Sequence, residues 1–219
     1  MGLEDIRARI DAACAAAERR PDSATLIAVS KLQPEARVRG VLEAGHRVFG
    51  ENRVQEAESR WPPFREDFGE VELHLVGPLQ SNKVRRALDL FDAIHSLDRD
   101  SLARKLAAAV QERGACPTLF VQVNTGREAQ KAGLDPDALE GFLGRCADTY
   151  DLPVAGLMCL PPIDDDPVPH FRLLAELADR HGLAGLSMGM SDDFEAAIAE
   201  GATHVRIGSA IFGDRPMGG

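Results

Sequence analysis

The feature of this chain that most constrains its fold is a regular alternation of short apolar runs with longer helical patterns. After residue 22, eight runs rich in β-branched residues alternate with stretches in which apolar residues recur at helical spacing. The runs cover residues 25–31, 47–52, 71–77, 93–97, 117–124, 154–160, 183–190 and 203–207. About eight strand–helix units in about 190 residues are typical of an α/β fold, a compact (β/α)8 TIM-type barrel with a parallel sheet.

A doubly wound open sheet is the alternative architecture. Such a sheet normally has a glycine-rich turn after its first strand, whereas the first run here ends in Ser30 and Lys31. We therefore expect one barrel domain over residues 1–219, with a helix at about 3–20 that packs outside the barrel as part of segment 1–22. Later in the chain, the sequence Trp61-Pro-Pro-Phe64 predicts the end of a helix with aromatic packing.

Composition excludes several classes of function. The formal net charge is −10 at pH 7, which disfavours nucleic acid as a partner. No apolar run approaches the roughly 20 residues that span a bilayer, and the N-terminus does not resemble a signal peptide. The four cysteines show no Cys-x-x-Cys spacing and the histidines form no metal-binding motif, so we expect reduced thiols, a cytoplasmic location and no metal site.

Functional groups of a (β/α)8 barrel gather at the carboxyl ends of the strands, where this sequence is polar and rich in small residues. Side chains alternate along a strand, so an inward Lys31 implies that Val29 also points inward. By the same alternation along the last strand, positions His204, Arg206 and Gly208 face the barrel interior. Lys31 and Arg206 are then expected to share the barrel mouth, on neighbouring strands if the first strand pairs with the last.

Lys31 is a candidate nucleophile. Desolvation at the end of an apolar strand, together with a nearby cation such as Arg206, would lower its pKa toward ~7–8. A neutral lysine amine condenses with an aldehyde to form a Schiff base. Two plainer interpretations stay open at this point: Lys31 as a solvated loop lysine, and Arg206 as one half of an ion pair with a barrel carboxylate.

Two turns after the last two strands are candidates for binding phosphate. Ser191 begins a Ser-Asp-Asp-Phe segment that leads into a helical pattern, and Gly208-Ser209 begins another turn. Helix starts and successive backbone N–H groups bind phosphate, and glycine lets the backbone approach closely. The alternative is that these residues serve turn geometry only.

Seven ordered motifs between residues 25 and 213 carry a family resemblance. They lie at residues 28–31 (Ala-Val-Ser-Lys), 49–52 (Phe-Gly-Glu-Asn), 74–83, 94–98, 156–158, 186–193 (Leu-Ser-Met-Gly-Met-Ser-Asp-Asp) and 205–213. On these motifs the chain resembles the YggS/PROSC family of pyridoxal 5′-phosphate (PLP) homeostasis proteins, whose fold is similar to the N-terminal barrel of alanine racemase.

The resemblance implies a cofactor, PLP, the active form of vitamin B6, and a set of residues that hold it. It implies that Lys31 carries PLP as a Schiff base, that Arg206 faces the pyridine nitrogen and that Asn52 lies near the ring. It assigns the phosphate to Ser191, Gly208 and Ser209. Apo forms of PLP-dependent enzymes are the implied protein partners, as recipients of the cofactor.

The chain departs from the family pattern at three places. Arg53 stands where relatives often have tyrosine, and Leu32-Gln33 replaces the Thr- or Pro-rich start of a loop. The Ser-Lys-Ser-Gly loop common in the family reads Gln-Lys-Ala-Gly at residues 130–133. Lys131 is retained there, so the residue is either a second cofactor-related lysine or an ordinary loop lysine.

The residues also indicate how much catalysis to expect. A cation beside the pyridine nitrogen keeps it unprotonated and makes the ring a weak electron sink. Racemisation needs a second acid–base group on the other side of the ligand, but the only tyrosine, Tyr150, is expected at the opposite barrel face. We therefore expect a PLP carrier that buffers or delivers the cofactor with little or no turnover.

Three alternatives remain open. The first is a racemase-like PLP enzyme that uses Lys31 as a base, with His74 or Cys159 as its partner, although Cys159 is better explained as a core residue. The second is an aldolase that forms a Schiff base on Lys31 without a cofactor. The third is a barrel scaffold that binds proteins through its acidic surface.

Overall fold

The computed structural model describes residues 2–213, in which eight parallel strands form a closed barrel in the order β1 to β8. The strands are β1 Thr25–Val29, β2 Val48–Glu51, β3 Glu72–Leu75, β4 Ala93–Leu97, β5 Thr118–Val123, β6 Val154–Cys159, β7 Gly185–Ser187 and β8 His204–Ile207. The helices are α1 Leu3–Ala16, α2 Glu35–Glu43, α3 Val54–Phe68, α4 Val84–Leu90, α5 Asp100–Arg113, α6 Leu139–Asp148, α7 Pro167–Arg180, α8 Phe194–Ala199 and α9 Ser209–Phe212.

The barrel confirms the prediction from the alternating runs, and the open sheet is excluded because β1 pairs with β8. Every predicted run contains one strand, but most strands are shorter than their runs. The largest difference is β7, which covers three residues of the run 183–190. Gly189, with a φ of 91°, has left-handed backbone that ends the extended conformation.

The predicted alternation of side chains along β1 is confirmed. Leu26 and Ala28 belong to the hydrophobic core between the barrel and its helices. Ile27 lies in the barrel interior, where a Cβ placed on Gly50 of β2 would be 2.8 Å from the Ile27 side chain and 3.3 Å from that of Val29. A side chain at position 50 therefore has no room, and the glycine allows the interior residues to pack.

The N-terminal helix α1 is shorter than the predicted 3–20. It ends before Glu18, whose φ of 55° is left-handed, and the chain then turns so that Arg19 donates to the carbonyls of Ile198 and Ala202 at 2.8 Å each. The predicted apolar stripe of α1 is buried and packs against α8, on the outer side of the barrel. The stripe consists of Leu3, Ile6, Ile10 and Cys14.

The predicted helix stop at residues 61–64 is wrong, because α3 continues to Phe68 with Pro62 and Pro63 inside it. A proline in a helix interior costs about 3 kcal/mol. The predicted aromatic packing is present: Trp61 lies 4.9 Å from Phe49 and 5.5 Å from Phe64 between ring centroids. Full burial of such side chains contributes about 1.5–3 kcal/mol each, which offsets much of the cost of the two prolines.

The burial of His46, in the loop before β2, makes the stability of the fold depend on pH. The His46 ring lies 2.8 Å from the Val48 carbonyl through Nε2, and the carbonyl can only accept, so Nε2 carries the proton. Burial lowers the pKa of His46 to about 4. Folding therefore favours the neutral ring.

We expect stability to fall as the pH decreases from about 6.5 to about 4, because in this window the unfolded chain binds a proton at His46 that the folded chain does not. The substitution His46→Gln, which keeps a donor for the Val48 carbonyl, should remove about 3 kcal/mol of this acid-dependent loss. Urea unfolding of both proteins at pH 7 and pH 4 measures the difference. Equal losses for wild type and variant would contradict the assignment.

Candidate functional site

A cavity of about 280 Å³ opens at the carboxyl ends of the strands and brings the predicted site residues together. Its lining residues are Val29, Lys31, Gln33, Asn52, Val76, Leu160, Met190, Ser191, Asp192, Arg206, Gly208 and Ser209. All six residues proposed from the sequence are among them. Their roles toward a cofactor stay predictions.

A larger cleft, of about 1080 Å³, lies at the opposite end of the barrel. It is lined by residues that begin or precede strands, among them Val48, Glu72 and Pro117. Functional sites of (β/α)8 barrels lie at the carboxyl ends of the strands, and of these two cavities the smaller one has an amine, a cation and hydroxyl groups together among its described lining residues. We therefore place the candidate site in the smaller cavity.

Arg206 lies on β8 with 5% of its surface exposed. Its Nη1 donates to Ser187 Oγ at 2.6 Å and its Nη2 to the Cys159 carbonyl at 2.8 Å. Burial lowers its pKa, against the opposing effect of the Asp193 charge, and within residues 2–213 no carboxylate forms an ion pair with it. The ion-pair interpretation of Arg206 is therefore not supported, and the guanidinium retains N–H donors beyond the two in use.

Lys31 lies half-buried in a tight turn directly after β1. The next residue, Leu32, has a left-handed φ of 59° and is 57% exposed, a strained backbone position for a large apolar residue. The turn is held by Arg60 of α3, which donates to the carbonyls of Ser30 at 2.7 Å and Gln33 at 2.9 Å. A helix outside the barrel thus holds the backbone that presents the amine.

Arg60 in turn contacts a buried carboxylate that sequence reasoning missed. Glu51, fully buried at the end of β2, accepts from Ser30 Oγ at 2.7 Å and Trp61 Nε1 at 3.2 Å, and its Oε1 lies 3.3 Å from Arg60. Burial raises the pKa of Glu51, against the opposing effect of these partners. The signal in the sequence was a charged residue inside an apolar strand, at a position that alternation turns toward the helices.

The two candidate phosphate-binding turns meet. Ser209 Oγ donates to Ser191 Oγ at 3.3 Å, so the turns after β7 and β8 present their hydroxyl groups side by side. A Cβ placed on Gly208 would lie 3.2 Å from the Val29 carbonyl oxygen, which shows how closely the backbone passes β1. Ser191 lies in the turn before α8, three residues ahead of the helix start at Phe194.

Asn52 follows β2 at the cavity edge, and its backbone position depends on Gly77. A Cβ placed on Gly77 would lie 2.3 Å from the Asn52 carbonyl oxygen. Real side chains do not come so close, so glycine at position 77 is required for the ends of β2 and β3 to adopt this arrangement.

The residues weighed as further participants lie outside the cavity. Tyr150 donates through its hydroxyl to Asp100 at 3.0 Å. Cys159 is fully buried, as expected for a core residue, and burial raises the pKa of its thiol to about 12. His74 is buried inside the barrel, and Lys131 pairs with Glu128 at 2.6 Å on a loop.

The arrangement therefore combines an amine, a buried cation and paired hydroxyl groups in one cavity. Such a set suits a small ligand that carries an anionic group at one end and an aldehyde at the other.

Comparison with known protein families shows where the chain belongs. The sequence model of one family, described as "Alanine racemase, N-terminal domain", matches residues 2–216 of this chain. The chain belongs to this family of barrel proteins.

Within the family, the chain groups with the pyridoxal phosphate homeostasis proteins. It is 42% identical to the protein of that name from Pseudomonas aeruginosa, over 99% of this chain and 95% of the relative. It is 37% identical to the one from Aquifex aeolicus, over 97% and 96%. A structure of PipY from Synechococcus elongatus with PLP bound is 39% identical, with a TM-score of 0.79 over 93% of this chain and all of PipY.

We expect Arg60→Met to destabilise the protein by about 2–4 kcal/mol, because it leaves the buried Glu51 without its cation and removes a charged donor from the Ser30 and Gln33 carbonyls. The matched control is Arg53→Met, since Arg53 precedes the same helix and its carboxylate partner, Glu56, is on the surface. Its effect should stay below about 1 kcal/mol. Urea unfolding measures both, and equal effects would contradict the role given to Arg60.

Proposed function

We propose that this chain binds PLP, holds it as a Schiff base on Lys31 and acts in PLP homeostasis, buffering or delivering the cofactor with little or no turnover. The observation that carries the proposal is the meeting of Lys31, Arg206 and the paired serines in one cavity. The names of the relatives and the PLP-bound PipY structure support it. The proposal treats residues 1–219 as one cofactor-binding domain.

The cavity residues fit the chemical groups of PLP. Ser191 and Ser209 are close enough to bind one phosphate, and Gly208 places no side chain between the backbone and that group. In this proposal the Lys31 amine would condense with the aldehyde of PLP with loss of water, Arg206 would donate a hydrogen bond to the ring nitrogen, and Asn52 would lie beside the ring. The rim of the cavity includes two exposed apolar side chains, Leu160 and Met190, which suit a planar ring.

Several features support a carrier rather than an enzyme. When bound, PLP supplies an electron sink, and a cation at its ring nitrogen weakens that sink. Among the described residues that line the cavity, the ionisable groups are Lys31, Arg206 and Asp192. The chain's only tyrosine is held by Asp100, away from the cavity. The cavity thus lacks a histidine or tyrosine for a second proton transfer.

The proposed setting is the cytoplasm, with apo PLP-dependent enzymes as recipients. All four cysteines lie in the described part of the chain and none forms a disulfide, which suits a reducing compartment. Within residues 2–213, no helix is long and apolar enough to cross a membrane.

The covalent attachment is tested by absorption spectroscopy. We expect the protein, as purified or after addition of PLP, to show a visible band that borohydride removes, leaving a reduced adduct on the peptide that contains Lys31. Lys31→Ala should lack the band, because no amine remains to form the bond. Lys105→Ala, on the exposed face of α5, is the control and should retain it. A band of equal intensity in Lys31→Ala would contradict the assignment.

The absence of turnover is tested by hydrogen exchange at the α-carbon of amino acids. In deuterium oxide, the PLP-loaded protein should exchange the α-proton of alanine no faster than free PLP does, because the described residues that line the cavity include no histidine or tyrosine for a second proton transfer. Proton NMR follows the exchange. Steady exchange that Lys31→Ala abolishes would instead favour a racemase-like PLP enzyme.

A further inference from the structure

A continuous series of hydrogen bonds crosses the barrel interior from the candidate cavity to the opposite end. Arg206 Nη1 lies 2.6 Å from Ser187 Oγ, which lies 2.8 Å from His95 Nδ1. The other nitrogen of that ring, Nε2, lies 2.8 Å from His74 Nδ1, and His74 Nε2 lies 2.8 Å from Glu72 Oε1. We call these five residues the interior chain.

With both imidazole rings neutral, the carboxylate end determines the direction of every bond in the interior chain. A guanidinium can only donate and an ionised carboxylate can only accept. His74 then donates to Glu72 through Nε2 and accepts at Nδ1 from His95 Nε2–H. His95 Nδ1 in turn accepts from Ser187, whose oxygen accepts from Arg206.

The surroundings of His95 agree with a neutral ring. Both histidines are buried, and burial lowers the pKa of His95 well below its usual value. The neighbouring positive or protonatable groups on β3 and β8 act in the same direction. Phe120 stacks on the His95 ring at 4.3 Å and 17° and holds its plane. Among the described residues, no group of His, Cys, Asp and Glu is arranged to hold a metal ion.

Glu72 gives the interior chain its anionic end. Its side chain is half-exposed in the large cleft at the far end of the barrel. The hydrogen bond from His74 lowers the pKa of Glu72, so the carboxylate stays ionised. Because Arg206 has no ion-pair partner among residues 2–213, Glu72 is the carboxylate to which its charge is linked through hydrogen bonds.

We propose that Ser187, His95, His74 and Glu72 are positioning residues that fix the orientation of the Arg206 guanidinium in the cofactor cavity, and that Glu72 acts from the opposite barrel face. The consequence for cofactor binding rests on the proposed function, in which Arg206 faces the pyridine nitrogen. The orientation itself is a property of the ligand-free protein, and it can be measured there.

The first test uses side-chain NMR of the ligand-free protein. Wild type should show His95 and His74 protonated on Nε2, and separate resonances for the Arg206 Nη groups, as in a fixed guanidinium. Glu72→Gln should preserve both signatures, because the amide oxygen still accepts from His74. Glu72→Ala should give mixed tautomers and averaged Arg206 resonances.

The matched control is Glu70→Ala, which removes a carboxylate from the same cleft two residues away. It should leave the tautomers and the Arg206 resonances as in wild type. The proposal is overturned if wild type carries the His95 proton on Nδ1, or if Glu72→Ala keeps both signatures unchanged.

The second test measures PLP binding and its absorption maximum. Ser187→Ala and Glu72→Ala should weaken binding by about three- to tenfold and shift the maximum, whereas Glu72→Gln and Glu70→Ala should match wild type. If Ser187→Ala and Glu72→Ala both bind PLP with wild-type affinity, the proposed effect of the interior chain on cofactor binding is overturned. If wild type fails to bind PLP at all, the proposed function fails, and the NMR signatures alone decide the positioning role.

Discussion

The pairing of β1 with β8 is the constraint on which the rest of the structure depends. It closes the barrel, with Ile27 opposite Arg206, and so satisfies the edges that an open sheet would leave exposed. The same closure brings the turn after β1, with Lys31, next to the turn after β8, with Gly208 and Ser209. Residues from the two ends of the chain thereby form one cavity.

Closure also encloses a group of hydrogen-bonded polar side chains in the barrel interior, whereas the outer core is held mainly by apolar contacts. Between the barrel and its helices the packing is almost wholly apolar. Inside, a buried guanidinium, a serine and two histidines share directional hydrogen bonds, and a buried charge without such partners would be costly. The fold thus presents to the cavity a cation that forms no ion pair with a carboxylate among the described residues. A charge of this kind remains available to a ligand.

Much of the barrel and of the candidate site could be predicted from the sequence, because the alternation of side chains and the order of the strands are patterns along the chain. The eight runs predicted the barrel, and the strand-end rule predicted that Lys31, Arg206 and Ser191 would meet. The contacts that hold the site residues in place were not predictable in the same way. Arg60 and Glu51 hold the Lys31 turn from α3 and β2, and α3 continues through two prolines with Trp61 buried. Each of these depends on contacts between segments far apart in sequence.

By itself, the sequence determined the fold class, the family and the residues at the strand ends, since hydrophobic periodicity and the order of motifs are properties of the residue order alone. Only the tertiary structure decided that Ser187, His95, His74 and Glu72 form one series of bonds, because His95 and Ser187 are 92 residues apart and meet across the barrel. The tautomer proposed for each ring likewise follows from the tertiary structure. It depends on the carboxylate at the end of the series, and the spacing of residues along a strand cannot specify it.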